Sequence, residues 1–190
     1  GLTGAPAPSQ QPAPADAAVR ATVSSATFKA AVAELDRDFD RHVTETIQLT
    51  EIPSPPFKEA ARAKVYLDML KAHGLTDVEL DAEGNVMGLR KGTQPGKVIV
   101  IAAHLDTVFP EGTNVKVRRE GTKLHAPGVG DDTRSLAVLL AFIRAMNAAK
   151  VQTTSDILFV GNVGEEGPGD LRGVKYLFTK GKYKDRIAAF

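Results

Sequence analysis

"KVIVIAAH", residues 97–104, decides the fold. Its five consecutive apolar residues, Val98 to Ala102, lack the apolar–polar alternation of a strand with one wet face. Such a run belongs in the middle of a sheet covered on both sides. A second apolar strand runs from Asp156 to Val163. Between the two, Thr133 to Ala149 carries Leu136, Leu139, Leu140, Ile143 and Met146 at helical spacing and reads as a buried helix.

Working outward, "DVELDAEGNVMGLRKG" places Val78 and Leu80 before a turn at Glu83-Gly84-Asn85, with Val86 and Leu89 after it, the pattern of an antiparallel hairpin. "NVKVRREGTKLHA" repeats the pattern around Glu120-Gly121. Toward the front, Phe28, Val32, Leu35, Phe39, Val43 and Ile47 form one continuous helical stripe that Pro53 terminates. Ala60, Ala61, Val65, Leu67, Met69 and Leu70 mark a second helix, with Gly74 at its C-terminal cap. Toward the back, "DLRGVKYLF" is a short helix and "RIAAF" the start of a further strand. Helices, hairpins and strands in this order predict an α/β sandwich with a mixed sheet.

The 190 residues suit one sizeable core. The opening "GLTGAPAPSQQPAPADAA" has almost no large apolar side chain with which to offset its ordering entropy. Residues 1–25 are therefore expected to be a flexible tether and 26–190 the folded part. A tether with no initiator Met fits a mature periplasmic or secreted protein, with the cytoplasm as the alternative. No segment approaches the ~20 apolar residues of a membrane-spanning helix. Lys and Arg, 24 in all, balance 23 Asp and Glu for a net charge of +1, so no basic stripe serves nucleic acid. Without cysteine there is neither disulfide nor thiol chemistry, and a metal would have to use His, Asp or Glu. No GxGxxG or GxxxxGKT loop is present to cradle phosphates.

The chemistry gathers in three acidic loops: "AAHLDTV" at 102–108, "APGVGDDTRS" at 126–135 and "VGEEG" at 163–167. In α/β sheets, side chains from different loops converge at the carboxyl ends of strands. His104 and Asp106 are two apart in extended chain and point to one side, so Asp106 can orient the ring of a metal-binding imidazole. A structural histidine is the plain alternative. Asp132 has the alternative reading of an N-cap or helix-dipole acid, whereas Asp131, on a Gly-rich loop, can bridge two cations. Glu165 and Glu166 face opposite ways in extended chain, so one can bind metal while the other takes a proton from water. Their alternative is solvation. One His with three or four carboxylates suits Zn²⁺, Mn²⁺ or Co²⁺ in a two-metal site.

"HLDTV", "GVGDD" and "GEEG", in this order, resemble the M20 family of di-zinc metallopeptidases and amidohydrolases, close to glutamate carboxypeptidase and the peptidase T-like enzymes. The likeness runs from about residue 28 to 190 and includes "IPSPP". It implies a zinc-exopeptidase fold in which His104 binds one metal, Asp131 bridges both and Glu166 binds the other. Asp106 would orient His104, and Glu165 would be the general base. The implied activity is exopeptidase hydrolysis of short peptides. N-acyl amino acid deacylation of the acetylornithine or succinyl-diaminopimelate type is the alternative, and a non-catalytic fragment with an incomplete metal site the reading from another class. Two departures stand out. A Lys common two residues after the bridging Asp is Thr133 here, with Arg134 beside it. The family's fourth ligand, an acid, and its fifth, a His, fall beyond Phe190, as does its lid domain, which commonly supports a homodimer. The resemblance therefore implies the N-terminal portion of a catalytic domain, inactive by itself.

Overall fold

The computed structural model describes residues 14–190. Four helices come first: α1 (Pro14–Ser24), α2 (Ala26–Arg37), α3 (Phe39–Thr50) and α4 (Ala60–Lys71). Strands β1 (Thr76–Leu80) and β2 (Val86–Arg90) follow, then β3 (Val98–His104), a small hairpin of β4 (Arg118–Glu120) and β5 (Lys123–His125), α5 (Arg134–Ala148), β6 (Asp156–Asn162), α6 (Arg172–Thr179) and β7 (Ile187–Ala189).

Two expectations need correction at the front. The first thirteen residues of the expected tether lie outside the described residues, but 14–24 form a helix with no buried residue. Eight of its eleven positions are Ala, Arg, Val or Ser, and its one proline, Pro14, stands at the first position, where a missing backbone N–H costs nothing. The single stripe from Phe28 to Ile47 is two helices that meet at Asp38, which has left α-helical geometry at φ −89° and ψ 2°. Its carboxylate accepts Arg144 Nε at 2.7 Å, and Glu45 on α3 accepts Arg144 Nη1 at 3.0 Å, so one guanidinium clamps both sides of the break. Apolar periodicity passes through such a joint without trace.

The main sheet has the order β1-β2-β6-β3-β7. β1, β2 and β6 pair antiparallel, while β6–β3 and β3–β7 are parallel. The sheet is thus mixed, as expected. β6 is the strand buried along its whole length. On one face Leu49, Tyr66, Leu70, Leu136, Leu140 and Ile143 from α3, α4 and α5 pack on Ala103, Ile157 and Phe159. On the other face Val98, Val100, Leu158 and Val160 meet Leu177 of α6 and Tyr183. The β4–β5 hairpin is a separate two-stranded sheet. Among the described residues no helix is long and apolar enough to cross a membrane.

Candidate metal centre

Parallel pairing sets His104 beside Asn162, so the loops leaving β3 and β6 emerge at the same edge. The Leu105 N–H donates to the Asn162 carbonyl at 2.7 Å and carries the pairing one step past the strands. From below, the buried Arg62 of α4 donates through Nη1 to the Leu105 carbonyl and through Nη2 to the Ile52 carbonyl, each at 2.7 Å. The backbone between His104 and Asp106 is therefore fixed from two sides.

His104 is buried, and its Nδ1 donates to the backbone carbonyl of Asp106 at 3.0 Å. The Asp106 carboxylate lies 3.6 Å from the same nitrogen. The two residues do share a side, as their spacing predicts, but the hydrogen bond that orients the ring runs to the main chain. Nε2 is left to face outward, 2.8 Å from Asp131 Oδ1.

Asp131 and Asp132 sit in the irregular turn Val129–Thr133 and are joined by a cis peptide bond. They diverge. Asp131 is exposed toward the His104 ring, whereas Asp132 turns back so that Oδ2 accepts the His104 N–H at 3.1 Å. The N-cap reading of Asp132 is thereby replaced: α5 has no side-chain cap, and this carboxylate ties the turn to the end of β3. Thr133 is buried, donates to the Gly128 carbonyl at 2.8 Å and lies 2.6 Å from the Thr50 hydroxyl. Arg134 is exposed at the start of α5.

The Glu165–Glu166 loop is held by a contact that spacing does not reveal. Asp106, fully buried, accepts the Glu165 N–H on Oδ1 at 3.0 Å and the Glu166 N–H on Oδ2 at 2.9 Å. Gly164 turns the chain at φ +61°, where a Cβ would also strike Arg172 Cγ at 2.6 Å. The outcome is that His104, Asp131 and Glu166 each offer a ligand atom within 4.8 Å of the others. Glu165 Oε2 stands just outside this group, 3.9 Å from His104 Nε2.

The electrostatics describe a place waiting for positive charge. Burial pulls the His104 pKa down, but the Asp106 carboxylate, then Asp132 and Asp131, outweigh it and push it up to about 9. Burial and the neighbouring Asp131 carboxylate raise Glu166. Burial raises Asp106 too, yet His104 and the N–H groups of Glu166 and Glu165 bring it below the usual carboxylate range. The carboxylates that favour the charged imidazolium would equally favour a cation, and metal binding at Nε2 would release its proton. The donor set of one imidazole and two carboxylates, with the imidazole's other nitrogen already bonded, fits a divalent transition metal.

The remaining histidines lie elsewhere. His42 is on α3; His73 follows the end of α4, bonding the Met69 carbonyl at 2.6 Å and Arg144 at 3.0 Å; His125 pairs with Glu120 at 3.5 Å.

Residues 100–190 match the family model described as Peptidase family M20/M25/M40. Among solved structures, the aminopeptidase PepT from Bacillus cereus is 26% identical, with a TM-score of 0.58 over 67% of this chain and 37% of that one. The dipeptidase Dug1p from Saccharomyces cerevisiae is 14% identical, with a TM-score of 0.67 over 85% of this chain and 40% of that one. Human carnosine dipeptidase 1 is 16% identical, with a TM-score of 0.66 over 87% and 41%. The chain thus spans about two fifths of the length of these structures. No curated protein matches the sequence significantly. The segment that matches the model of peptidase family M20/M25/M40 takes in His104, Asp106, Asp131, Glu165 and Glu166.

Proposed function

We propose that this chain is the N-terminal part of the catalytic domain of a metal-dependent peptidase that cleaves short peptides. The observation carrying the proposal is the convergence of His104, Asp131 and Glu166 from three loops within 4.8 Å, with a second glutamate beside the set rather than in it.

His104 through Nε2, Asp131 and Glu166 would hold the metal, zinc before manganese or cobalt. Bound there, divalent ions supply Lewis acidity that acidifies water and stabilises negative charge developing on a peptide carbonyl oxygen. Glu165 takes the proton of the attacking water and passes it to the leaving amine. Asp106 positions both arms of the site, the His104 ring through its own backbone carbonyl and the glutamate loop through its carboxylate. Asp131, whose Oδ1 faces His104 Nε2, would be shared between the two ions. The activity belongs to the whole protein, for which a dimer is part of the same reading.

The test joins elemental analysis to an assay. The complete protein is expected to contain about two zinc or manganese ions per chain and to hydrolyse dipeptides and tripeptides, losing both metal and turnover in His104→Ala. Full metal content in that variant would show that His104 is structural. Turnover of N-acyl amino acids with none of peptides would assign the deacylase chemistry instead.

A further inference from the structure

A cleft of about 420 Å³ lies between α3, the β4–β5 hairpin and the Val129–Thr133 turn. It uses no metal-centre residue. Phe39, His42, Val43 and Thr46 form one wall, Arg119 and Leu124 another, and Val129, Gly130 and Arg134 the floor.

Alternation along the hairpin explains its charge. Arg118 and Glu120 occupy one face of β4 and pair at 2.8 Å, and His125 lies 3.5 Å from the same Glu120. Arg119 must then face the other way, where its cross-strand partner is Leu124. This inner face presents a guanidinium beside an aliphatic side chain to the cleft. Arg119 Nε donates to the Gly121 carbonyl at 3.2 Å, and among the described residues neither Arg119 nor Arg134 is ion-paired. No lining residue is acidic. His42 adds a buried Nδ1 with no hydrogen-bond partner among the described residues.

Two guanidiniums without ion-pair partners, one on the hairpin wall and one on the floor of an apolar trough, can recognise a planar anion by paired N–H donors. The trough itself, lined by Phe39, Val43, Leu124 and Val129, would stay wet around a bare ion but is filled by an aliphatic or aromatic tail. Its volume falls within the ~300–1,000 Å³ of small-molecule sites. We propose that this cleft binds a small amphiphilic carboxylate, its carboxyl group between Arg119 and Arg134 and its apolar portion against Phe39, Val43 and Leu124. The proposal stands apart from the hydrolytic reading, since binding here needs no metal.

The 190-residue chain, kept in chelator, is titrated calorimetrically with N-acetyl-L-leucine, with its uncharged analogue N-acetyl-L-leucinamide, and with inorganic phosphate. The acid is expected to bind at least about tenfold more tightly than either comparator, and Arg119→Gln and Arg134→Gln are each expected to weaken it by about tenfold or more. Glu166→Gln is expected to leave it unchanged. Equal binding of acid and amide, or indifference to both arginine substitutions, would overturn the site. Phosphate binding as tightly as the acid would overturn the ligand class. Both arginines are exposed, so the variants should melt as the parent does. With the metal removed, loss of peptide hydrolysis and loss of this binding are separate results.

Discussion

Asp106 Oδ2 accepts the backbone N–H of Glu166 at 2.9 Å, although sixty residues separate them. One buried carboxylate therefore sets the position of Glu166, a proposed metal ligand on another strand's loop. Asp106→Ala is expected to leave two N–H groups without acceptors, costing about 1–3 kcal/mol of stability. Metal affinity is expected to fall by about 10–100-fold, as for other outer residues that orient ligands. Zinc titration and urea unfolding of the chain measure the two effects, and unchanged affinity would remove Asp106 from the site.

Glu165 and Glu166 are neighbours with separable roles. In the complete protein, Glu165→Gln is expected to retain metal and lower kcat by about 10²–10⁴-fold. Glu166→Gln is expected to lose metal first and activity with it. Elemental analysis beside steady-state kinetics distinguishes them, and the opposite pattern would exchange the two assignments.

Arg62 is fully buried, and its guanidinium bridges the carbonyls of Ile52 and Leu105. Burial lowers its pKa to about 10, opposed by the nearby Asp106 charge, so it remains a cation at neutral pH. Arg62→Met strands the buried Leu105 carbonyl and the half-buried Ile52 carbonyl and is expected to cost about 2–4 kcal/mol in urea unfolding. Arg62→Lys, whose point charge cannot span both acceptors, is expected to recover little of this. A full rescue by Lys would show that charge, not the fork, is what α4 contributes.

His73 makes stability sensitive to mild acid. Burial holds its ring below the ordinary histidine range, the Met69 carbonyl opposes this, and the Arg144 guanidinium adds to the lowering. Below the unfolded value of about 6.5 the unfolded chain takes up a proton that the folded ring resists. Stability is therefore expected to fall as pH drops from 7.5 to 5.5. Comparing melting temperatures of the parent and His73→Gln across that range isolates this group. Parallel curves would mean that His73 does not contribute.

Most of the sheet was legible from apolar runs and turn residues, because strands and hairpins announce themselves locally. The three loops were legible for the same reason: each follows an apolar strand or hairpin directly. Their metal roles came from the resemblance, and the structure brings His104, Asp131 and Glu166 within 4.8 Å of one another. What remained hidden depends on contacts between distant segments. The Asp132 bond to His104, the double acceptor at Asp106 and the Arg62 bridge each join backbone groups, and no side-chain spacing encodes a backbone partner. The joint at Asp38 was hidden for a different reason. It carries no Pro or Gly, and the long-range Arg144 clamp stands where a local breaker would.

The parallel pairing of β3 with β6 has a kinetic consequence. Val98 and Asp156 are partners across 58 residues, a separation that loop closure must bridge before any hydrogen bond compensates it. The β1–β2 hairpin can form early from neighbours in sequence, but the edge where His104 meets Asn162 comes into being only when these two distant strands dock. During synthesis the nascent chain would hold its acidic loops apart until β6 has emerged. Ion capture would thus be a late event, following the sheet rather than templating it.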